Sequence, residues 1–292
     1  MTTAWVFPGQ GSQSVGMGQD LPAIPSAQEK LTQAEQILGW SVMERCQGDE
    51  AELSQTQYTQ PCLYVIESIL SDLLKGQGAS PAYVAGHSLG EYSALYAVGV
   101  FDFATGLQLV KQRAELMSQA QGGKMAALMK FDPAQLLELL ATTPDVVLAN
   151  DNSAEQVVIS GKPEAVDSIL AQVKAKRAVP LKVSGAFHSP FMAGAAQQFQ
   201  AILENTPFQD AQVPVLSNVD PTPTQAGDIL KQRLIRQMTG SVRWQEIMQA
   251  LPPLGVTSVW EVGPGKVLTG LFKRTCPDLE LKNISGPADL AE

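Results

Sequence analysis

Residues 82–99 read AYVAGHSLGEYSALYAVG, and the transition inside this stretch decides the fold. AYVAG is a short uncharged run of the kind that forms a buried strand, and LGEYSALYAVG has helical spacing that closes on Gly99. Between the two lies Gly86-His87-Ser88-Leu89-Gly90, a GxSxG pattern in the strand–turn–helix setting of a nucleophile elbow. Both glycines have a steric reason to be there, since the backbone must turn sharply while neighbouring elements come close. The turn leaves the serine oxygen at a helix N-terminus, where free N–H groups and the positive end of the dipole face the reacting atoms.

Outward from the elbow, strands and helices alternate. AWVF, residues 4–7, is an apolar run that stops at Pro8 and Gly9 and reads as a second buried strand entering a glycine-rich loop. Helical spacing fills residues 26–76, most clearly in CLYVIESILSDLLK, and again residues 102–120, with Leu107, Val110, Ala114 and Met117 on one face. After Gly122-Gly123 the rhythm changes to MAALM, PAQLLELLA, VVLAN, QVVIS, PEAVDSILAQV and AVPLKV, a βαββαβ order typical of a ferredoxin-like unit. The expected organisation is α/β, with a large domain of mostly parallel sheet over residues 1–123 and 187–292 and an inserted ferredoxin-like domain over 124–186. The strand PVLSN, two helical stretches, the strand SVWEVG and a helix from Lys266 complete the large domain.

Composition narrows the function. A chain of 292 residues with 45% hydrophobic and 17% charged residues is expected to bury a sizeable core. No apolar run approaches the roughly 20 residues that span a bilayer, and MTTAWVFPGQG lacks the pattern of a secretory signal, so a cytoplasmic chain off the membrane is expected. The net charge of −9 argues against nucleic acid. Lys174, Lys176 and Arg177 come nearest to a basic run and read as a solvated helix end. Cys46, Cys62 and Cys276 are widely spaced and, with two histidines in all, give no metal-ligand pattern. No metal is expected, and a monomer is the default.

A serine hydroxyl needs a base, and histidine is the usual one. His87 adjoins Ser88 within the tight turn, so its side chain should point elsewhere and brace the loop. His188, in GAFHSPF after a predicted strand, is then the candidate base.

Taken together, FPGQGSQ (7–13), TQPCLY (59–64), GHSLGEYSAL (86–95), KQRAELM (111–117), GAFHSPFM (185–192) and EVGPGKVLTGLFKR (261–274) resemble the malonyl-CoA:acyl carrier protein transacylases from end to end. The resemblance implies an α/β-hydrolase-like large domain carrying the ferredoxin-like insert. It implies that Ser88 attacks the malonyl thioester, that His188 takes the proton, and that backbone groups at Gln10 and Leu89 form the oxyanion hole. Gln237 matches the position whose main-chain carbonyl orients the histidine. Arg113 becomes the clamp for the malonyl carboxylate, because a planar guanidinium can hold a carboxylate by two charge-assisted bonds. Burying it unpaired is costly, so Gln60 is expected to satisfy it in the free enzyme. Asn152 is expected near the cleft between the domains.

The implied substrates are malonyl-CoA and the phosphopantetheine thiol of an acyl carrier protein, with no cofactor, in fatty acid synthesis. Carrier proteins are usually acidic, so a local basic rim of Lys182, Lys266, Lys273 and Arg274 is expected to offset the chain's own negative charge. Two other classes share parts of the pattern. A serine esterase or thioesterase has the same Ser–His pair and passes the acyl group to water. A non-catalytic carrier-binding subunit would need none of Ser88, His188 or Arg113.

Overall fold

The computed structural model describes residues 2–183 and 185–290. The chain opens with β1 (Thr3–Phe7), then α1 (Pro25–Leu38), α2 (Val42–Gln47), α3 (Glu50–Leu53) and α4 (Thr56–Gly76), followed by β2 (Tyr83–Gly86), α5 (Gly90–Ala97) and α6 (Phe103–Gln119). A second group follows: β3 (Lys124–Phe131), α7 (Pro133–Thr142), β4 (Val146–Ser153), β5 (Gln156–Gly161), α8 (Pro163–Gln172) and β6 (Ala175–Pro180). The last part holds α9 (Ala193–Asn205), β7 (Val215–Ser217), β8 (Asp220–Thr224), α10 (Gly227–Gln237), α11 (Trp244–Ala250), β9 (Ser258–Val262), α12 (Val267–Thr275) and β10 (Glu280–Ile284).

The larger sheet has the order β10-β9-β1-β2-β7-β8 and is parallel except for β8, which runs antiparallel to β7. Its central strands are apolar along their length because helices cover both faces. Alternation assigns the faces: Trp5 and Phe7 of β1 join the core under α1, α4, α5 and α6, whereas Ala4 and Val6 join the one built with Trp244, Ile247, Leu268 and Phe272 of α11 and α12. Phe7 pairs with Gly86, so the loop after β1 and the turn after β2 leave side by side at the carboxyl edge of the sheet, where open α/β sheets build their sites.

The smaller sheet is antiparallel, in the order β4-β5-β3-β6. Ala126 and Leu128 of β3 face α7 and α8, packing on Leu136, Val166 and Ile169, while Met125 and Ala127 face the other way into the main core. The insert is also stitched on by backbone bonds from Asp151 N–H to the Val242 carbonyl (2.9 Å) and from Val242 N–H to the Ala149 carbonyl (2.8 Å). Ser184, in the return from the insert, lies outside the described residues. Among the described residues no helix is long and apolar enough to cross a membrane.

Four details differ from the sequence reading. The helical stretch expected over 26–76 is four helices, broken first at Gly39, whose φ of 82° caps α1 in the left-handed region. The strand expected at 178–183 begins at Ala175, which places Lys176 and Arg177 on a strand instead of a helix end. Among the described residues that strand pairs only with β3, and an open edge tolerates charge. The strands β8 and β10 were not anticipated: β8 (DPTPT) carries two prolines, which a sheet accepts at an edge, and β10 is the opposite edge.

Candidate active site

The elbow is as tight as its glycines suggest. A Cβ on Gly86 would overlap the backbone of Gly90, and one on Gly90 would overlap the carbonyl of Phe7. Ser88 takes a φ of 51°, a left-handed conformation that costs an L-residue energy and needs outside support. Asn218, fully buried just past β7, supplies that support. Its Oδ1 accepts the Ser88 N–H at 2.7 Å and its Nδ2 donates to the Gly86 carbonyl at 2.6 Å. With its own N–H engaged, Ser88 leaves the next amide, that of Leu89, free to face a ligand.

His188 also has a left-handed backbone, with φ 56°, and is 4% exposed. Its Nε2 lies 2.7 Å from Ser88 Oγ, and its Nδ1 lies 3.0 Å from the Gln237 carbonyl and 3.2 Å from that of Gly240. Carbonyls only accept, so Nδ1 carries the proton and Nε2 presents its lone pair to the serine hydroxyl. Burial, with the nearby Arg113 guanidinium, pushes the imidazole down to about 3, so the ring is neutral at neutral pH. His87 turns away from the serine. Its Nε2 meets Asn152 Oδ1 at 2.8 Å and its ring packs edge-on against Trp244. Asn152 therefore ties the insert to the elbow, and the residue of that strand lining the site cavity is Asn150.

Arg113 comes from α6 and is 1% exposed. Nη1 donates to Gln60 Oε1 at 2.6 Å, and Nη2 donates to Ser88 Oγ and to Gln237 Oε1, each at 3.1 Å. Among the described residues its Nε has no partner and no carboxylate lies within salt-bridge distance. Burial holds the guanidinium below its ordinary value. Gln237 is the hub: besides its carbonyl on His188, its Nε2 donates to the Ser88 carbonyl and to Glu91 Oε2, both at 2.8 Å.

These groups surround a cavity of about 90 Å³ lined by Gln10, Ser88, Leu89, Arg113, Met117 and His188, among others. Among the described residues neither the Gln10 nor the Leu89 N–H has an acceptor within the protein. Gln10, Leu181 and Val183 are shared with an outer hollow of about 920 Å³ between the insert and the start of α4. Lys182 lines that hollow; Lys266, Lys273 and Arg274, at the start and in the last turn of α12, do not. Asn218 and Glu91 escaped the sequence reading. Asn218 follows a strand at the carboxyl edge, a position that could have flagged it; Glu91, in the first turn of a helix, passes for a dipole partner.

Fold and site together define an enzyme that passes an acyl group through a serine. A family model described as the acyl transferase domain matches residues 4–286, and the chain belongs to that family. It is 70% identical over 290 residues to the malonyl CoA-acyl carrier protein transacylase of Synechocystis sp., covering 99% of both chains. The crystal structure of the Synechocystis sp. PCC 6803 malonyl-CoA:ACP transacylase superposes with a TM-score of 0.99 at 69% identity, over 100% of this chain and 99% of that one. A malonyl-transacylase solved in complex with a type II PKS acyl-carrier protein gives 0.94 at 37% identity, over 100% and 98%.

Proposed function

We propose that this chain transfers a malonyl group from malonyl-CoA to the phosphopantetheine thiol of an acyl carrier protein through a malonyl ester on Ser88, feeding fatty acid synthesis. The observation that carries the proposal is the pairing of a 2.7 Å Ser88–His188 contact with a buried guanidinium 3.1 Å from the same hydroxyl and bound to no carboxylate. His188 Nε2 takes the hydroxyl proton as Oγ bonds to the thioester carbon. The oxyanion gathers bonds from the N–H groups of Gln10 and Leu89, each typically contributing roughly 3–4 kcal/mol to such a step. Collapse breaks the C–S bond, and His188 returns the proton to the CoA thiolate. The second half runs in reverse order with the carrier thiol.

Arg113 selects the cargo by holding the free carboxylate, with Gln60 and Gln237 as its partners while the site is empty. Neither half-reaction changes an oxidation state, so the chemistry calls for no redox cofactor. The acyl carrier protein as partner is supported by the relative solved with one. We also propose that residues 124–186 form the inserted domain and the rest the catalytic one, as the two separate sheets suggest.

The test is intact mass after brief incubation with malonyl-CoA. The expected result is a malonyl adduct on the unaltered chain and none on Ser88→Ala; steady release of free malonate without an adduct would favour an esterase.

A further inference from the structure

Glu91 lies in the first turn of α5, three residues past Ser88, and is 1% exposed. No step of the reaction above uses it. Its Oε2 accepts the Asn218 N–H at 3.1 Å and Gln237 Nε2 at 2.8 Å. The other end of the same Gln237 amide, Oε1, accepts from Arg113 Nη2 at 3.1 Å. One amide thus stands between a buried guanidinium and a buried carboxyl, its oxygen toward the cation and its N–H toward the other group. That orientation suits an anion at Glu91.

A buried cation without a counter-charge is costly, and a carboxylate placed directly against it would fill the edge that a substrate must occupy. An anion one amide away supports the charge while Nη1 and Nη2 keep neutral partners, in Gln60, Gln237 and Ser88, that a carboxylate can displace. We propose that Glu91 is the anionic counter-charge of Arg113, acting through the Gln237 amide, and that it sets how strongly the guanidinium attracts the substrate's carboxylate. This rests on the reading of Arg113 as the malonyl clamp. Burial holds the Glu91 carboxyl above its ordinary value, an effect that the Gln237 and Asn218 bonds and the Arg113 charge lessen.

The same anion that supports the cation repels an incoming carboxylate. Glu91 therefore restrains ground-state binding of malonyl, which helps a group that must leave again for a second thiol. Removing one unit charge about 10 Å from the bound carboxylate, at an effective dielectric of about 20, changes its binding roughly ten-fold.

Glu91→Gln removes the charge and keeps an oxygen for both N–H donors. Acylation of Ser88 by malonyl-CoA and by acetyl-CoA is followed by rapid-quench mass spectrometry, with kcat and KM resolved for each. The expected result is a malonyl KM about ten-fold lower, with the acetyl KM, where no carboxylate is present, moving less than about two-fold. Glu91→Asp, which keeps the charge, should restore most of the malonyl KM of the unaltered chain. A malonyl-to-acetyl KM ratio unchanged in Glu91→Gln would mean that Glu91 is uncharged and would overturn the proposal. So would a rise in malonyl KM, or the same shift in Glu91→Asp, since either would make geometry the cause. Should Glu91→Gln fail to fold, Glu91→Ala takes its place with the same expected fall in malonyl KM relative to acetyl, and a ratio that stays unchanged there, or shifts equally in Glu91→Asp, refutes the proposal. If the unaltered chain forms no malonyl adduct at all, the fault lies with the acyl-transfer reading itself.

Discussion

Replacing Asn218 by alanine deletes the two side-chain bonds that hold the elbow, one to the Ser88 N–H at 2.7 Å and one to the Gly86 carbonyl at 2.6 Å. Because Asn218 is fully buried, both backbone groups are stranded, at a cost of roughly 1–3 kcal/mol each. The left-handed Ser88, which itself stores about 1–3 kcal/mol, also loses its restraint. At about 2 °C per kcal/mol for a chain of this size, Tm should fall by about 4–12 °C in scanning calorimetry. Release of the turn moves Oγ off His188, and a misplacement of about 1 Å suffices for a loss of about 100-fold in the acylation burst. Asn218→Asp keeps an acceptor for the Ser88 N–H but sets an oxygen against the Gly86 carbonyl, so it should not rescue. An alanine variant with Tm within about 1 °C and a burst within about three-fold would show that the strand and helix alone hold the turn, and would refute the bracing role.

Arg113→Ala should lower the malonyl-to-acetyl acylation ratio by about 10²–10⁴, since two charge-assisted bonds of roughly 1.5–3 kcal/mol each are lost; competition between the two thioesters, read by intact mass, measures it. Acid should destabilise the fold through His188. Its folded value, near 3, lies below the ordinary 6.5, so this contribution is complete above pH 6.5 and is lost as pH falls toward 3. At about 1.4 kcal/mol per pH unit, a drop from 6.5 to 5 should cost about 2 kcal/mol in urea unfolding, and His188→Gln should flatten that slope.

The elbow was legible because its constraint is local: Gly86, Ser88 and Gly90 lie within five residues and flank one turn. The apolar run of β1 and the βαββαβ rhythm of the insert are likewise short-range patterns. The edge strands β8 and β10 were missed and β6 was placed three residues late, because they carry charges or prolines that a sheet tolerates best where one side stays unpaired, and that is a fact of topology. Chemistry followed the same division. Ser88 and His188 announce themselves by residue type, and Arg113, Gln10, Leu89 and Gln237 were reached through a resemblance spread over the chain. The side chains of Asn218 and Glu91 reach partners more than 120 residues away in sequence, and apart from the strand end before Asn218 nothing local marks them.

In the proposed reaction the placement of Arg113 does more than hold cargo. Its positive charge is among the causes that keep His188 a feeble base. A malonyl carboxylate seated on the guanidinium cancels that charge a few ångströms from the imidazole and makes the ring more willing to take the serine proton. An acetyl group in the same cavity leaves the ring as weak as before. In the proposed reaction the cargo therefore arms the base that will attack it, and the enzyme screens its substrate at the proton transfer as well as at the door.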